Sequence, residues 1–244
     1  EILVSIDSPI LQQELETRTP LPAPKLLYLP QVSQMTGGLL HVSEITSPVT
    51  AYSHDITVSE ADLAVAEFKA VLHLLKAVLT RFGATPQDVL IVHLYLSEIS
   101  HFQLINSHYR DFFGTLLPPS RSCVAVGNKK FPGGRRVLMD CMIQIGSGQY
   151  MRDKDEDPYA KAALLTTTSS LRQVLHVQSI SYWAPVCVGP YSQVNTLRSG
   201  LHFLAGQIGL VPATMKLQTT WTGQLDQCWT NVARVLDGLD GGSL

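Results

Sequence analysis

The chain is arranged around one segment: Pro118-Pro119-Ser120-Arg121-Ser122-Cys123-Val124-Ala125-Val126-Gly127. The proline pair ends a helical stretch and favours extended backbone. The small and β-branched residues after it predict a buried strand. Arg121 begins that strand, and a guanidinium can hold a carboxylate by two parallel hydrogen bonds. The segment therefore predicts an arginine presented to a small anion; from these residues alone, an arginine in an exposed ion pair at the rim remains an alternative.

The composition predicts a protein with a sizeable core and no strong attraction to nucleic acid. The 244 residues are 45% hydrophobic and 16% charged, and the formal net charge is −2. This length suits one large domain or two small ones. A weakly negative chain is an unfavourable partner for nucleic acid. No apolar run is as long as a membrane span, so we expect no membrane partner.

The cysteines and the first residues of the chain predict its compartment. Cys123, Cys141, Cys187 and Cys228 are far apart and form no CxxC pair. That spacing is typical of reduced thiols in a cytoplasmic protein and predicts neither a disulfide framework nor a metal site. The chain starts at Glu1 without a signal-peptide pattern. We therefore expect a cytoplasmic piece of a longer protein.

Residues 26–147 predict one α+β domain, preceded by a proline-rich linker at 1–25. A helix is predicted from an N-cap at Ser59 to Gly83, with a second helix at 99–113. The predicted strands are 26–29, 39–45, 88–96, 121–127 and 137–145. The order of these elements predicts a mixed sheet with two helices on one face.

Residues 172–244 predict a second, incomplete copy of the same pattern, after a charged linker at 148–171. Strands are predicted at 174–180 and 201–208, and a helix at 224–239. The apolar residues expected to face inward from this helix are Leu225, Cys228, Val232, Val235, Leu236 and Leu239. The later elements of the first copy have no counterpart, so we expect an uncovered apolar helix face.

Several motifs together resemble the Rid/YjgF family, also called the L-PSP endoribonuclease family. In the first copy the motifs are Phe82-Gly83-Ala84, His93-Leu94-Tyr95-Leu96-Ser97, Asn106, Tyr109, Phe112-Phe113 and Arg121-Ser122-Cys123-Val124. In the second they are Gly189-Pro190-Tyr191-Ser192-Gln193 and Ala205-Gly206-Gln207-Ile208. The resemblance covers roughly 26–147 and 172–239, and it implies a chorismate-mutase-like fold and a trimer-like homo-oligomer.

The tandem arrangement is similar to the C-terminal region of the family of long eukaryotic diphthine–ammonia ligases. This resemblance implies an upstream ATP-using domain that amidates diphthine on elongation factor 2. Residues 1–244 contain no Gly-rich phosphate-binding motif. We therefore expect no cofactor in this region, and contact with ATP and elongation factor 2 only through the longer parent protein.

The Rid/YjgF resemblance also implies roles for individual residues. Arg121 would hold a substrate carboxylate, and Asp140 stands where the family has a glutamate that activates water. Asn106 and Cys123 would line the pocket, and Tyr191 and Gly206 would supply its other half. Glu44 replaces the glycine that Gly206 preserves. Because neither copy holds a complete set, we expect one composite site between the copies, with Arg121 and Asp140 as its catalytic residues.

Three functions remain open at this stage. The first is a small-carboxylate-binding or assembly region of a diphthine–ammonia ligase. The second is an imine or enamine deaminase that releases ammonia from 2-aminoacrylate-like compounds, since many family members do so. The third is an oligomerisation scaffold without catalysis. The basic segment 129–136 is interpreted as a solvated turn rather than an RNA contact.

Overall fold

The structure is a computed structural model that describes residues 30–47, 58–127, 131–145 and 172–239. The predicted linkers at 1–25 and 148–171, the predicted strand at 26–29 and the first two residues of the basic segment 129–136 lie outside the described residues. Within the described ranges, no helix is both long and apolar enough to cross a membrane.

A five-stranded mixed sheet forms the first half of the molecule. Its strands are β1 (Gln31–Met35), β2 (Leu39–Thr46), β3 (Val89–Leu96), β4 (Ser120–Ala125) and β5 (Val137–Gln144), in the order β1-β2-β5-β3-β4. Only the β3–β4 pair is parallel. Gly38, at φ +75° in the turn from β1 to β2, lies so close to β5 that a Cβ would be 2.5 Å from the carbonyl oxygen of Ile145.

Two helices cover one face of this sheet, α1 (Glu60–Arg81) and α2 (His101–Phe113). The predicted N-cap is confirmed, because the Ser59 hydroxyl accepts a hydrogen bond from the Asp62 amide at 3.1 Å. The shared core contains apolar residues of both helices and of the strand face beneath them, with Phe68 and Tyr109 fully buried. The predicted α+β architecture, a mixed sheet with two helices on one face, is confirmed.

The second half contains a three-stranded antiparallel sheet, a short hairpin and one helix. The elements are β6 (Arg172–Leu175), β7 (Val194–Leu197), β8 (His202–Leu204), β9 (Leu210–Val211), β10 (Lys216–Leu217) and α3 (Trp221–Asp237). The predicted strand 174–180 is wrong beyond Leu175, because its partner β7 is only four residues long. The predicted strand 201–208 is likewise shorter, and β7 was not predicted.

Helix α3 begins earlier than predicted and exposes part of its apolar face. It starts at Trp221 because the Thr220 hydroxyl caps it, accepting from the Gly223 amide at 3.1 Å. Val235 is fully buried, but Leu225 is 49% and Leu236 37% exposed, so their predicted inward orientation is wrong. The described part of the second half has no larger sheet to cover them. That this half is a second copy of the first remains a prediction.

The second half packs directly onto strands β3 and β4 of the first. Arg172 of β6 donates to the carbonyl oxygens of Val89 and Leu117, each at 2.8 Å. Ser120 forms an isolated parallel β-bridge with Ser192. A small apolar cluster joins the halves, made of Leu39, Leu90 and Leu197 with Met142 and Phe203 against them. These contacts bring the 187–206 region of the second half against β4.

Candidate functional site

Arg121 lies on β4, at the edge of the five-stranded sheet, with its side chain on the helix-covered face. Its register partner on β3 is Val92, which in turn pairs with Cys141 on β5. Register partners point to the same side of a sheet, and both of these partners are buried in the core shared with the helices. Arg121 itself is only 3% exposed. The predicted anion-binding arginine is therefore buried, and the alternative of an exposed ion pair at the rim is wrong.

Side chains of helix α2 line one side of the Arg121 site. Phe102, Asn106 and Tyr109 are spaced i, i+4 and i+7, so they share one side of the helix. Asn106 accepts a hydrogen bond from Nη1 of Arg121 at 2.9 Å through its Oδ1. The rings of Phe102 and Tyr109 lie 4.8 and 4.5 Å from the guanidinium carbon. At such distances an aromatic face attracts a cation.

The second half of the chain closes the other side of the site. The ring of Tyr191 lies 5.2 Å from the guanidinium carbon. The Gly206 amide donates to the Arg121 carbonyl oxygen at 3.1 Å. Gly189 approaches the guanidinium so closely that a Cβ would be 2.5 Å from Nη2. The structure thus brings to Arg121 three of the residues named in the composite-site hypothesis, Asn106, Tyr191 and Gly206.

The guanidinium of Arg121 has an unused hydrogen-bond donor. Its Nη2 is buried and has no hydrogen-bond partner among the described residues. Among the described residues, no carboxylate forms an ion pair with Arg121; ion pairs do join Arg136 to Glu60 and Glu67. The buried hydroxyl of Tyr109 is also unpartnered among the described residues. Leaving a buried cation unpaired is costly, so this arrangement favours an anion as a further partner.

The acidic groups around Arg121 are held neutral. Burial raises the pKa of the Cys123 thiol to about 11, against the opposing effect of Arg121. Burial likewise raises the pKa of Cys187 to about 12 and that of Tyr191 to about 12. A neutral thiol is a poor nucleophile. These groups therefore leave the positive charge of Arg121 uncompensated and do not form a thiolate site.

Asp140 is not brought to the Arg121 cluster. It pairs in register with His93, the neighbour of Val92, so it lies on the opposite face of the sheet from Arg121. Its Oδ1 accepts the Glu44 amide at 3.0 Å. Glu44 has φ +58° at a bulge in β2, a conformation that favours glycine.

The sequence contained signals for three residues that the site prediction missed. Phe102 and Tyr109 have the same helical spacing as Asn106 and could have been placed beside it. Gly189 belongs to the predicted 189–193 motif, but only the structure shows how near it lies to Nη2. No group of three or more metal-ligating side chains occurs within the described ranges. Chemically, the arrangement can bind an anion to a buried guanidinium.

Comparison with known proteins assigns the first half to a family. Residues 31–137 match the family model described as Endoribonuclease L-PSP. Residues 31–137 are a domain of the L-PSP endoribonuclease family. This domain contains Asn106 and Arg121, whereas Tyr191, Gly189 and Gly206 come from the part of the chain that follows it.

The matches to two curated relatives are longer than the L-PSP domain. The chain is 34% identical over 152 residues to a diphthine–ammonia ligase from Schizosaccharomyces pombe. This match covers 62% of this chain and 21% of that protein. The chain is also 34% identical over 139 residues to a diphthine–ammonia ligase from Saccharomyces cerevisiae, covering 54% of this chain and 18% of that protein. The chain therefore spans about a fifth of the length of these relatives.

A solved structure of a Rid-family protein of unknown function from Yersinia pestis is also similar. The identity is 22% and the TM-score 0.39, and the match covers 50% of this chain and 90% of that protein.

Proposed function

We propose that this chain is a Rid-type region of a diphthine–ammonia ligase, and that its Arg121 site binds a small carboxylate. The observation that carries the proposal is the buried guanidinium of Arg121, whose Nη2 lacks a partner among the described residues. A carboxylate would accept from this nitrogen and neutralise the charge. Under this proposal the protein is cytoplasmic, and ATP and elongation factor 2 are bound through an upstream part of the parent protein.

Binding is better supported than imine or enamine hydrolysis. Hydrolysis needs an acid or base within hydrogen-bond reach of the reacting group. Asp140 lies on the other face of the sheet, and burial raises the pKa values of the thiols of Cys123 and Cys187 near Arg121 to about 11 and about 12. The described residues therefore supply a carboxylate-binding cation without an adjacent general base.

The carboxylate proposal predicts that pyruvate stabilises the protein. A ligand that binds only the folded state at about 100 times its dissociation constant adds about 2.7 kcal/mol to the free energy of unfolding. Thermal unfolding across a pyruvate titration measures this, and pyruvamide, which has no negative charge, is the matched control compound. An equal shift with pyruvamide, or no shift with pyruvate, would contradict carboxylate binding at Arg121.

Assembly is the second candidate role, and a specific surface favours it. Helix α3 exposes an apolar stripe at helical spacing, with Trp221 77%, Leu225 49%, Trp229 67% and Leu236 37% exposed. Contiguous exposed apolar surface of this kind is typical of protein interfaces. We expect the stripe of one copy to pack against the stripe of another, which would join copies of the chain into a homo-oligomer.

Replacing Trp229 by glutamate should reduce the oligomer to monomers. The stripe would be buried between copies in the oligomer, and an unpaired charge buried there is costly. Light scattering after size-exclusion chromatography measures the mass. The matched control is Thr230→Glu, which adds the same charge at an exposed position off the stripe. A wild-type chain that is already monomeric, or a Trp229→Glu mass equal to the wild-type mass, would exclude this role for the stripe.

A further inference from the structure

The segment Cys187–Tyr191 closes the Arg121 site. Gly189 lies against the guanidinium, since a Cβ there would be 2.5 Å from Nη2. Arg121 is 3% exposed, and its Nη2 is buried without a partner among the described residues. A carboxylate oxygen must lie about 2.8 Å from a guanidinium nitrogen to bond with it. The backbone at Gly189 stands in that approach, so the structure holds the site in a closed form.

Backbone hydrogen bonds hold this segment to the rest of the described molecule at its two ends. At one end the Cys187 amide donates to the Val177 carbonyl oxygen at 3.1 Å. Just beyond the other end, the Ser192 amide donates to the Pro119 carbonyl oxygen at 3.2 Å. Between them, Val188 is 51% exposed, and the Tyr191 amide bonds within the segment, to Gly189, at 2.9 Å. The middle can therefore move without breaking these two hydrogen bonds, although the movement takes the buried Pro190 and the Tyr191 ring out of their present contacts.

The closed form carries an energetic cost that an anion would relieve. In the closed form the buried Nη2 makes no hydrogen bond with any described residue, and an unsatisfied charged donor costs more than a neutral one. The three aromatic rings around the guanidinium offset part of this cost. A form in which Gly189 has moved away would let Nη2 bond to a carboxylate instead. Ligand binding would then favour that second form.

We infer that the segment Cys187–Tyr191 is a movable cover, which must swing away from Arg121 before a small carboxylate can bind. This inference rests on the proposed function for its ligand, but the movement of the cover can be tested without one. The measured affinity is then the intrinsic affinity reduced by the fraction of molecules whose cover is open. The Cys187 thiol is near enough to Arg121 and Tyr191 for their charges to affect one another, so moving residues 189–191 uncovers it even though the Cys187 backbone stays bonded to Val177. Any change that opens the cover therefore exposes this thiol and strengthens binding of the carboxylate.

The test follows alkylation of Cys187 by iodoacetamide, resolved by residue with mass spectrometry. The probe ligand is pyruvate. In the closed form burial holds the pKa of Cys187 at about 12, and opening should speed its alkylation by about tenfold or more, because the thiolate is the reactive form. Gly189→Ala should produce this increase without ligand, since its Cβ would lie 2.5 Å from Nη2. The guanidinium is held by Asn106 and by the rings of Phe102 and Tyr109, so the segment is displaced rather than the arginine. Saturating pyruvate should produce it in the wild type.

The matched control is Val188→Ala, an exposed position in the same segment, which should react as the wild type does. Cys141 lies in the core at 2% exposure, so it should stay unmodified in every folded variant. If Gly189→Ala exposes Cys141 and is therefore misfolded, Tyr191→Leu, which removes the ring over the guanidinium, takes its place.

The outcomes test the movement of the cover separately from the identity of the ligand. Faster Cys187 alkylation in Gly189→Ala, together with tighter pyruvate binding, supports the whole inference. Faster alkylation without any pyruvate binding supports the cover and overturns the proposed ligand. Cys187 rates that are equal in Gly189→Ala, Val188→Ala and the wild type overturn the cover, and so does pyruvate binding that leaves the wild-type rate unchanged.

Discussion

Replacing Arg121 by alanine should weaken pyruvate binding by about 10- to 100-fold. The substitution removes Nη2 and the positive charge, and a hydrogen bond to a charged group contributes about 1.5–3 kcal/mol, of which about 1.4 kcal/mol corresponds to a tenfold change in affinity. It also removes the only described cation that faces the site from β4. Isothermal titration calorimetry gives the dissociation constants of the two proteins directly.

Two further variants make this result specific. Arg110→Ala removes an exposed arginine from the same helix that carries Asn106, and its affinity should equal that of the wild type. Arg121→Lys keeps the charge but lacks the planar fork of donors, so its affinity should fall between those of the alanine variant and the wild type. Equal affinities for Arg121→Ala and Arg110→Ala would show that the carboxylate binds elsewhere.

Replacing Asn231 by alanine should destabilise the second half of the molecule by about 2–4 kcal/mol, because it leaves the buried carbonyl oxygen of Leu210 and the part-buried carbonyl oxygen of Ile208 without this donor. The side chain is fully buried in α3. Its Nδ2 donates to the carbonyl oxygens of Ile208 and Leu210, at 3.1 and 2.9 Å, and its Oδ1 accepts from Gln227 at 2.9 Å. Asn231 thus ties the helix to the loop that follows Gly206.

Urea unfolding followed by tryptophan fluorescence measures this effect, since the partly buried Trp183 packs against the apolar cluster that contains Val235 of α3. The matched control is Thr230→Ala, which removes an exposed hydroxyl that bonds only within the helix and should change stability by less than about 0.5 kcal/mol. A similar small change for Asn231→Ala would mean that other groups satisfy the two carbonyl oxygens.

The first half could be predicted largely from local sequence signals. The cap at Ser59, the apolar spacing of α1 and the apolar run of β3 act over short distances, and the structure agrees with each. The second half was harder, because β6 and β7 are short and their limits depend on mutual pairing. Whether Leu225 and Leu236 are covered likewise depends on which elements surround α3, and periodicity cannot show that.

The site was predictable in its chemistry but not in its three-dimensional grouping. The segment 118–127 and the family resemblance both pointed to Arg121, and the resemblance pointed to Asn106; only the structure shows the hydrogen bond between them. Asp140 could not be placed from sequence, because the face that a strand residue occupies depends on its register. The approach of Gly189 to Nη2 depends on how the two halves pack, and no local pattern encodes it.

The most direct test of a carboxylate site at Arg121 is a crystal structure of the protein grown with pyruvate. We predict a carboxylate bonded to Nη2 of Arg121, with Gly189 moved away from the guanidinium and Asn106 still bonded to Nη1. Pyruvate bound at another place, with Arg121 still enclosed by Gly189 and Tyr191, would contradict it.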